Sequence, residues 1–257
     1  MKLMRARAPL IGNERFWSDP AIVRGQEVPR PFLHWYERVL LEDASARLVE
    51  RFGEVRLIHV VGCGPGREVP MVRSAFSDAR IVASDISRAM TEACARNLAR
   101  WSATDQVEVR CAEARTLRHD GRRAELVVML NSVLTYVTPR ADRGDTLATL
   151  HGLLAPGGLL VGTVQHRWGA PAKSAYFALR RVLHALGIVR REAGERTVRL
   201  DGLRRRLYYF TPAEIRQALR VAGFQPMLVQ PLRRLAGARG MPYRWRGDNN
   251  LVFTGEA

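Results

Sequence analysis

Residues 57–66 read Leu-Ile-His-Val-Val-Gly-Cys-Gly-Pro-Gly, an apolar run that breaks into glycine at Gly62, Gly64 and Gly66. Glycine reaches backbone angles closed to other residues and lets a ligand approach the main chain. A second apolar run, residues 81–83, leads to Asp85, about 20 residues beyond the glycines. A carboxylate at that spacing accepts hydrogen bonds from the two hydroxyls of a ribose. The chemistry implied is the holding of a nucleoside. The dinucleotide fingerprint Gly-x-Gly-x-x-Gly differs in one respect: here the third glycine comes one residue early, and Arg67 occupies its place.

Strand ends and helix starts must bring these groups together. Apolar runs predict strands at 57–61, 80–84, 107–110, 126–129 (within the run 124–129) and 159–165. Helical patterns follow at 68–76, 88–101 and about 142–154, with Ser87 a fitting N-cap. Strands alternating with helices predict parallel β-α-β units, and right-handed crossovers put helices on both faces. Open sheets of this class bind ligands at the carboxyl ends of their strands. Upstream, residues 1–31 read as irregular, and a helix runs from 31 to 52 with an aromatic start that includes His34, Trp35 and Tyr36. After residue 165 the pattern changes. A helix is predicted at 173–186, then strands at 196–200 and 203–210 joined by Asp201-Gly202, a good hairpin turn. Thr211, Pro212 and Glu214 form a capping-box signature. Residues 231–248 read as an arginine-rich loop carrying Tyr243 and Trp245, and 250–254 as a last strand.

The run Gly62-Cys63-Gly64-Pro65-Gly66, followed by Asp85-Ile86-Ser87 and Met90, resembles the class I S-adenosylmethionine-dependent methyltransferases. Glu113 after the third strand, Leu153 to Val161 with its Pro156-Gly157-Gly158 turn, and Phe210 to Ile215 followed by Ala222-Gly223-Phe224 resemble later motifs of that family, in order. The resemblance covers residues 57–257. It implies an α/β, Rossmann-like fold: a seven-stranded, mostly parallel sheet with helices on both faces, its last strand antiparallel between the fifth and sixth. It further implies an N-terminal segment and lid helix over 1–53, a methyltransferase domain over 54–257, and a cap-like insertion at about 167–210. S-adenosylmethionine is the implied cofactor, with Gly62, Cys63, Gly64, Gly66, Asp85, Ile86, Glu113, Ala114 and Asn131 as its binding residues. In that scheme Asp85 holds the ribose, Glu113 lies near the adenine, Ile86 and Ala114 sandwich it, and Asn131 meets the methionine moiety. Two positions depart from the family. Val60 stands where an acidic residue often helps to hold the methionine end. The fourth-strand tip, Leu130-Asn131-Ser132, lacks the Asx-Pro-Pro-aromatic motif of many base-methylating enzymes.

The 257 residues, 47% hydrophobic, suit one α/β domain with additions. Cys63, Cys94 and Cys111 have neither disulfide-framework nor metal spacing, so no metal is expected. The start is basic but lacks a signal-peptide core. The longest apolar stretch, 153–164, is too short to span a membrane; a cytoplasmic protein without a membrane partner is the expectation. The formal charge is +16, and lysine occurs only at Lys2 and Lys173. A basic surface concentrates anionic partners. An anionic small molecule, a nucleic acid and a plain solvated face all fit this charge, nucleic acid being the less favoured partner. The cluster Arg204-Arg205-Arg206, with Tyr208 and Tyr209 nearby, lines an acceptor pocket, binds phosphates, or forms the charged outer face of a hairpin.

Methyl transfer from a sulfonium needs alignment and exclusion of water more than acid–base machinery. Tyr136 beyond the fourth strand, His166 after the fifth and His34 on the lid are the catalytic candidates, a histidine serving as base near neutral pH. The function expected is methyl transfer to a small-molecule acceptor, in specialised metabolism. The alternatives are an RNA-modifying methyltransferase, favoured by charge, and a non-catalytic binding protein on the same fold, hinted at by Val60.

Overall fold

Every residue of β1 (Leu57–Val61) is buried, as a strand covered on both faces requires. The computed structural model describes residues 10–169, 171–189, 192–200, 202–243 and 249–257. β2 (Arg80–Asp85), β3 (Val107–Cys111), β4 (Ala124–Met129) and β5 (Leu154–Gln165) continue a parallel sheet around β1. β6 (Glu195–Leu200) and β7 (Leu203–Tyr208) form a separate antiparallel pair. β8 (Gln225–Pro231) and β9 (Asn250–Glu256) complete the main sheet, in the order β3-β2-β1-β4-β5-β9-β8, with β9 antiparallel to both neighbours. This is the seven-stranded, mostly parallel arrangement that the sequence implied.

From β1 the chain moves one way to β2 and the other way to β4. That reversal opens a crevice at the carboxyl ends of the central strands. Helices cover both faces. Ahead of the sheet come α1 (Asn13–Trp17), α2 (Pro20–Gln26) and α3 (Trp35–Phe52). α4 (Val69–Ala75) and α5 (Arg88–Arg100) join α3 on one face, where Leu40, Leu48, Val72 and Leu98 pack on Ile58, Val60 and Ile81. α6 (Val133–Tyr136) is a single turn after β4, and α7 (Arg140–Leu153) covers the other face. α8 (Pro171–Ala185) precedes the hairpin. α9 (Pro212–Val221) joins α7, burying Ile215 and Leu219 against Leu251 and Phe253.

Local signals explain the element starts. The Ser87 hydroxyl accepts the Met90 N–H at 3.2 Å. Thr211 and Glu214 form the reciprocal capping box, with the Thr211 N–H donating to Oε2 of Glu214 at 2.7 Å. Three expectations need correction. The segment read as irregular over 1–31 carries α1 and α2, because Phe16, Ile22 and Val23 bury against Met90 and Ala93 of α5. The stretch read as a loop over 231–248 begins with α10 (Leu232–Ala238), whose Leu232, Leu235 and Ala236 recur at helical spacing and pack beneath the sheet. β5 begins at Leu154, earlier than expected, and the Gly157 N–H donates to the Ala257 carbonyl at 2.7 Å. Trp245 and Asp201 lie outside the described residues.

Candidate functional site

A cleft of about 980 Å³, counting the space at its open mouth, lies at the carboxyl ends of β1, β2 and β4. The glycine turn after β1 forms its floor. Gly62 has φ +72° and a Cβ there would come within 2.4 Å of Val133 Cγ2, so this glycine lets the β1 and β4 loops meet. Gly64 has φ +49°, but a Cβ there would meet nothing within 4 Å. Its bare main chain therefore faces space that a ligand could fill. Gly66 does not line the cleft; it is packed under the Cys94 thiol of α5.

Asp85 ends β2 at the cleft wall. Its Oδ2 accepts the Gly64 N–H at 3.0 Å and its Oδ1 accepts the Ser87 N–H at 2.9 Å. Burial raises its carboxyl above the usual carboxylate range, and these main-chain donors oppose the rise. Each oxygen retains acceptor capacity beyond its one main-chain bond, the requirement for clasping ribose hydroxyls. Ile86, Ala112, Glu113 and Ala114 continue the same wall. Glu113 is partly committed, since Oε1 accepts from Nε of Arg115 at 2.6 Å.

The β4 tip supplies Asn131. It and Ser132 have φ 55° and 59°, two successive non-glycine residues in the left-handed region. The Ser132 N–H is held by Oγ1 of the buried Thr163 at 3.0 Å. Such backbone costs about 1–3 kcal/mol per residue and persists only where its surroundings enforce it. It turns Asn131 into the cleft. Cys63 also lines the cleft, but hydrogen bonding with Cys94 and burial hold its thiol well above the usual range. It fills space rather than reacting.

Sequence reasoning missed Glu68. It follows the glycine turn, is buried and lines the cleft. Burial pushes its carboxyl up to about 7, against the pull of the Arg67 guanidinium. A single acid just after a glycine motif carries no periodic signal, and only the fold brings it under the cleft. Arg67 in turn pairs with Glu37 of α3 at 2.7 and 2.8 Å, and both side chains are buried. This pair fastens α3 to the glycine turn.

The catalytic candidates separate. Tyr136 lines the cleft, its ring 4.8 Å from that of Trp17. Burial raises its phenol above the ordinary value, against the Arg205 guanidinium. His34 stands outside the cleft as the N-cap of α3, its ring stacked on Tyr36 at 5.3 Å. His166 also stands outside, beyond β5; burial, with Lys173 and Arg167 nearby, lowers its imidazole to about 4. The remaining wall comes from the N-terminal helices through Asn13, Trp17 and Gln26. α1 is tied down where Oγ of Ser87 donates to the Trp17 carbonyl at 3.0 Å. Among the described residues, no cluster of His, Cys, Asp and Glu suits a metal ion, and no helix is long and apolar enough to cross a membrane.

A family model described as a methyltransferase domain matches residues 58–158, which hold the glycine turn, Asp85, Glu113 and Asn131. Residues 58–158 form a class I S-adenosylmethionine-dependent methyltransferase domain. Over 120 residues the chain is 33% identical to a carboxy-S-adenosyl-L-methionine synthase of Shewanella sp. (strain MR-7), covering 46% of this chain and 48% of that protein. Over 105 residues it is 34% identical to a trans-aconitate 2-methyltransferase of Methylobacterium radiotolerans, covering 41% of this chain and 36% of that one. The chain thus spans about half or less of the length of these curated relatives. A solved structure similar in fold is the Burkholderia thailandensis 1,6-didemethyltoxoflavin-N1-methyltransferase with bound 1,6-didemethyltoxoflavin and S-adenosylhomocysteine. Its TM-score is 0.59 at 22% identity, covering 97% of this chain and 92% of that one.

Proposed function

We propose that this chain transfers a methyl group from S-adenosylmethionine to a small-molecule acceptor of specialised metabolism. The observation that carries the reading is Asp85 bonded to Gly64, whose bare main chain faces the cleft. When bound, the cofactor supplies a methyl already activated by a sulfonium. The chain's part is to hold, align and shield. Asp85 takes the ribose hydroxyls, and Ile86 and Ala114 enclose the adenine, with Glu113 beside it. The bare main chain at Gly64, together with Asn131, receives the methionine portion. Glu68 supplies the negative charge for its ammonium group, standing in for the acid that Val60 replaces.

Asn13 and Trp17 act with Tyr136 as a lid over the acceptor end, and the insertion over about 167–210 backs that wall as a cap. Excluding water and fixing the approach can account for several kcal/mol of barrier lowering, within an observed ceiling of about 11. Tyr136 keeps its proton at neutral pH and donates rather than abstracts. His34 and His166, outside the cleft, take no part in proton transfer. A small acceptor is supported by the aromatic wall and by the Burkholderia neighbour, solved with a small acceptor of its own.

Calorimetry with S-adenosylmethionine and S-adenosylhomocysteine tests the reading. Saturable binding of both is expected, and binding of neither would overturn it. A parallel RNA titration against salt separates the rival, because specific RNA binding would weaken steeply as salt rises.

A further inference from the structure

Arg205 sits on β7 between two arginines of ordinary setting, yet its side chain is only 2% exposed. Arg206 faces outward and pairs with Glu195 at 3.4 Å. Arg205 instead points inward, its guanidinium carbon 4.6 Å from the Phe16 ring centroid, 5.3 Å from that of Trp17 and 4.6 Å from that of Tyr136. Nη2 donates to the Tyr136 carbonyl at 3.1 Å and to Oδ1 of Asn13. Among the described residues, Nε and Nη1 have no hydrogen-bond partner, although both atoms are buried. Of the five N–H donors of a guanidinium, the three on Nε and Nη1 are thus unused. No carboxylate pairs with Arg205 among the described residues.

A buried cation without a counter-charge is costly and calls for an anion. Arg205 does not itself line the cleft; its guanidinium lies against Asn13, Trp17 and Tyr136, which do. We propose that Arg205, reached from the cleft when the Trp17 and Tyr136 side chains shift aside, recognises a carboxylate on the acceptor, so that the substrates of this site are small carboxylic acids. A single guanidinium among aromatic rings balances one negative charge. A carboxylate brings one, whereas a phosphate monoester brings up to two. Trp17 and Tyr136 then pack against the apolar frame that bears the acid. Burial also lowers the Arg205 pKa to about 10, the direction expected of a cation whose anion is not yet in place.

This proposal rests on the methyltransferase reading above, and the test separates the two. The full chain is saturated with S-adenosylhomocysteine and titrated calorimetrically with a panel of small aliphatic and aromatic carboxylic acids. Each acid is paired with its primary amide, and inorganic phosphate forms a separate arm. At least one acid is expected to bind tenfold or more tightly than its amide. Arg205→Gln should erase that preference while leaving affinity for S-adenosylhomocysteine within twofold, and Arg205→Lys should restore part of it. Equal binding of acids and amides across the panel overturns the proposal, as does a preference that survives in Arg205→Gln. Phosphate outcompeting every acid overturns the choice of carboxylate. Should Arg205→Gln not fold, the acid–amide comparison on the unaltered chain and the lysine variant still decide. Binding of S-adenosylhomocysteine without any acid preference sinks only this inference; failure to bind it sinks the underlying reading and this inference with it.

Discussion

Oδ2 of Asp85 accepts the main-chain N–H of Gly64 at 3.0 Å, which fastens the tip of β2 to the turn after β1. One carboxylate thus shapes the floor of the cleft and offers its remaining lone pairs to a ligand. Asp85→Ala is expected to weaken S-adenosylhomocysteine binding by about 1.5–3 kcal/mol, roughly 10- to 150-fold. Calorimetry reads this directly, and unchanged affinity would mean that the ribose is held elsewhere.

Gly62 and Gly64 lie two residues apart, and their substitution should have different consequences. Gly62→Ala combines a left-handed backbone with a Cβ driven to 2.4 Å from Val133. Strain and overpacking together should lower stability by about 2–5 kcal/mol. Gly64→Ala meets open space, so its cost is the backbone alone, about 1–2 kcal/mol. Its main effect should be on ligand binding, reduced at least about tenfold as the new methyl occupies the ligand's approach. Denaturant melts and calorimetry on both variants would reveal whether the two losses separate.

The raised pKa of Glu68 makes two opposite pH slopes. The folded chain holds this proton up to about 7, against an ordinary value of 4.5. The stability from Glu68 is therefore complete at low pH and is lost as pH rises from about 4.5 through 7, by roughly 3 kcal/mol. Binding of a ligand ammonium needs the ionised form, so affinity for S-adenosylhomocysteine should rise between about pH 6 and 8. Glu68→Gln should flatten both curves. A binding slope that persists in the variant would assign it to another group.

Glu37 and Arg67 form a buried pair between α3 and the glycine turn. Removing one partner leaves the other charge uncompensated, so Glu37→Ala should cost about 3–5 kcal/mol in urea unfolding. The double replacement Glu37→Leu with Arg67→Met should cost clearly less, since no orphaned charge remains. Equal losses in the two variants would argue that packing, not charge, dominates there.

The sheet was legible because its signals are local. Apolar runs at 57–61 and 124–129, the Ser87 cap and the Thr211–Glu214 box each announce themselves within a few residues, and the structure places them where their patterns said. Eight of the nine expected cofactor residues line the cleft, and the ninth, Gly66, supports the turn from beneath. What the sequence concealed is charge taken inside. Glu68 drew no reading, and Arg205 was left between a pocket and the outer face of a hairpin, because their burial depends on elements distant in the chain. α1, α2 and α10 were hidden for a related reason: their apolar residues are few, spaced among arginines, and become a face only against α5 or α3 and the sheet. His34 and His166 stand outside the cleft, since chain position beside a helix start or a strand end says nothing of direction.

The antiparallel strand that separates β5 from β8 also governs how this protein can be made. β8 hydrogen-bonds to no strand of the main sheet but β9, and β5 has β9 on its second edge. A ribosome delivers the parallel strands in succession, and each can zip onto its predecessors as it emerges. β5 must then wait, with one flank of amides bare, until the strand beginning at Asn250 is synthesised. An unguarded flank of this kind is a template for pairing with another chain. Premature termination in that interval would release a sticky polypeptide, so β9, the last of the seven strands in chain order, doubles as the seal against self-association.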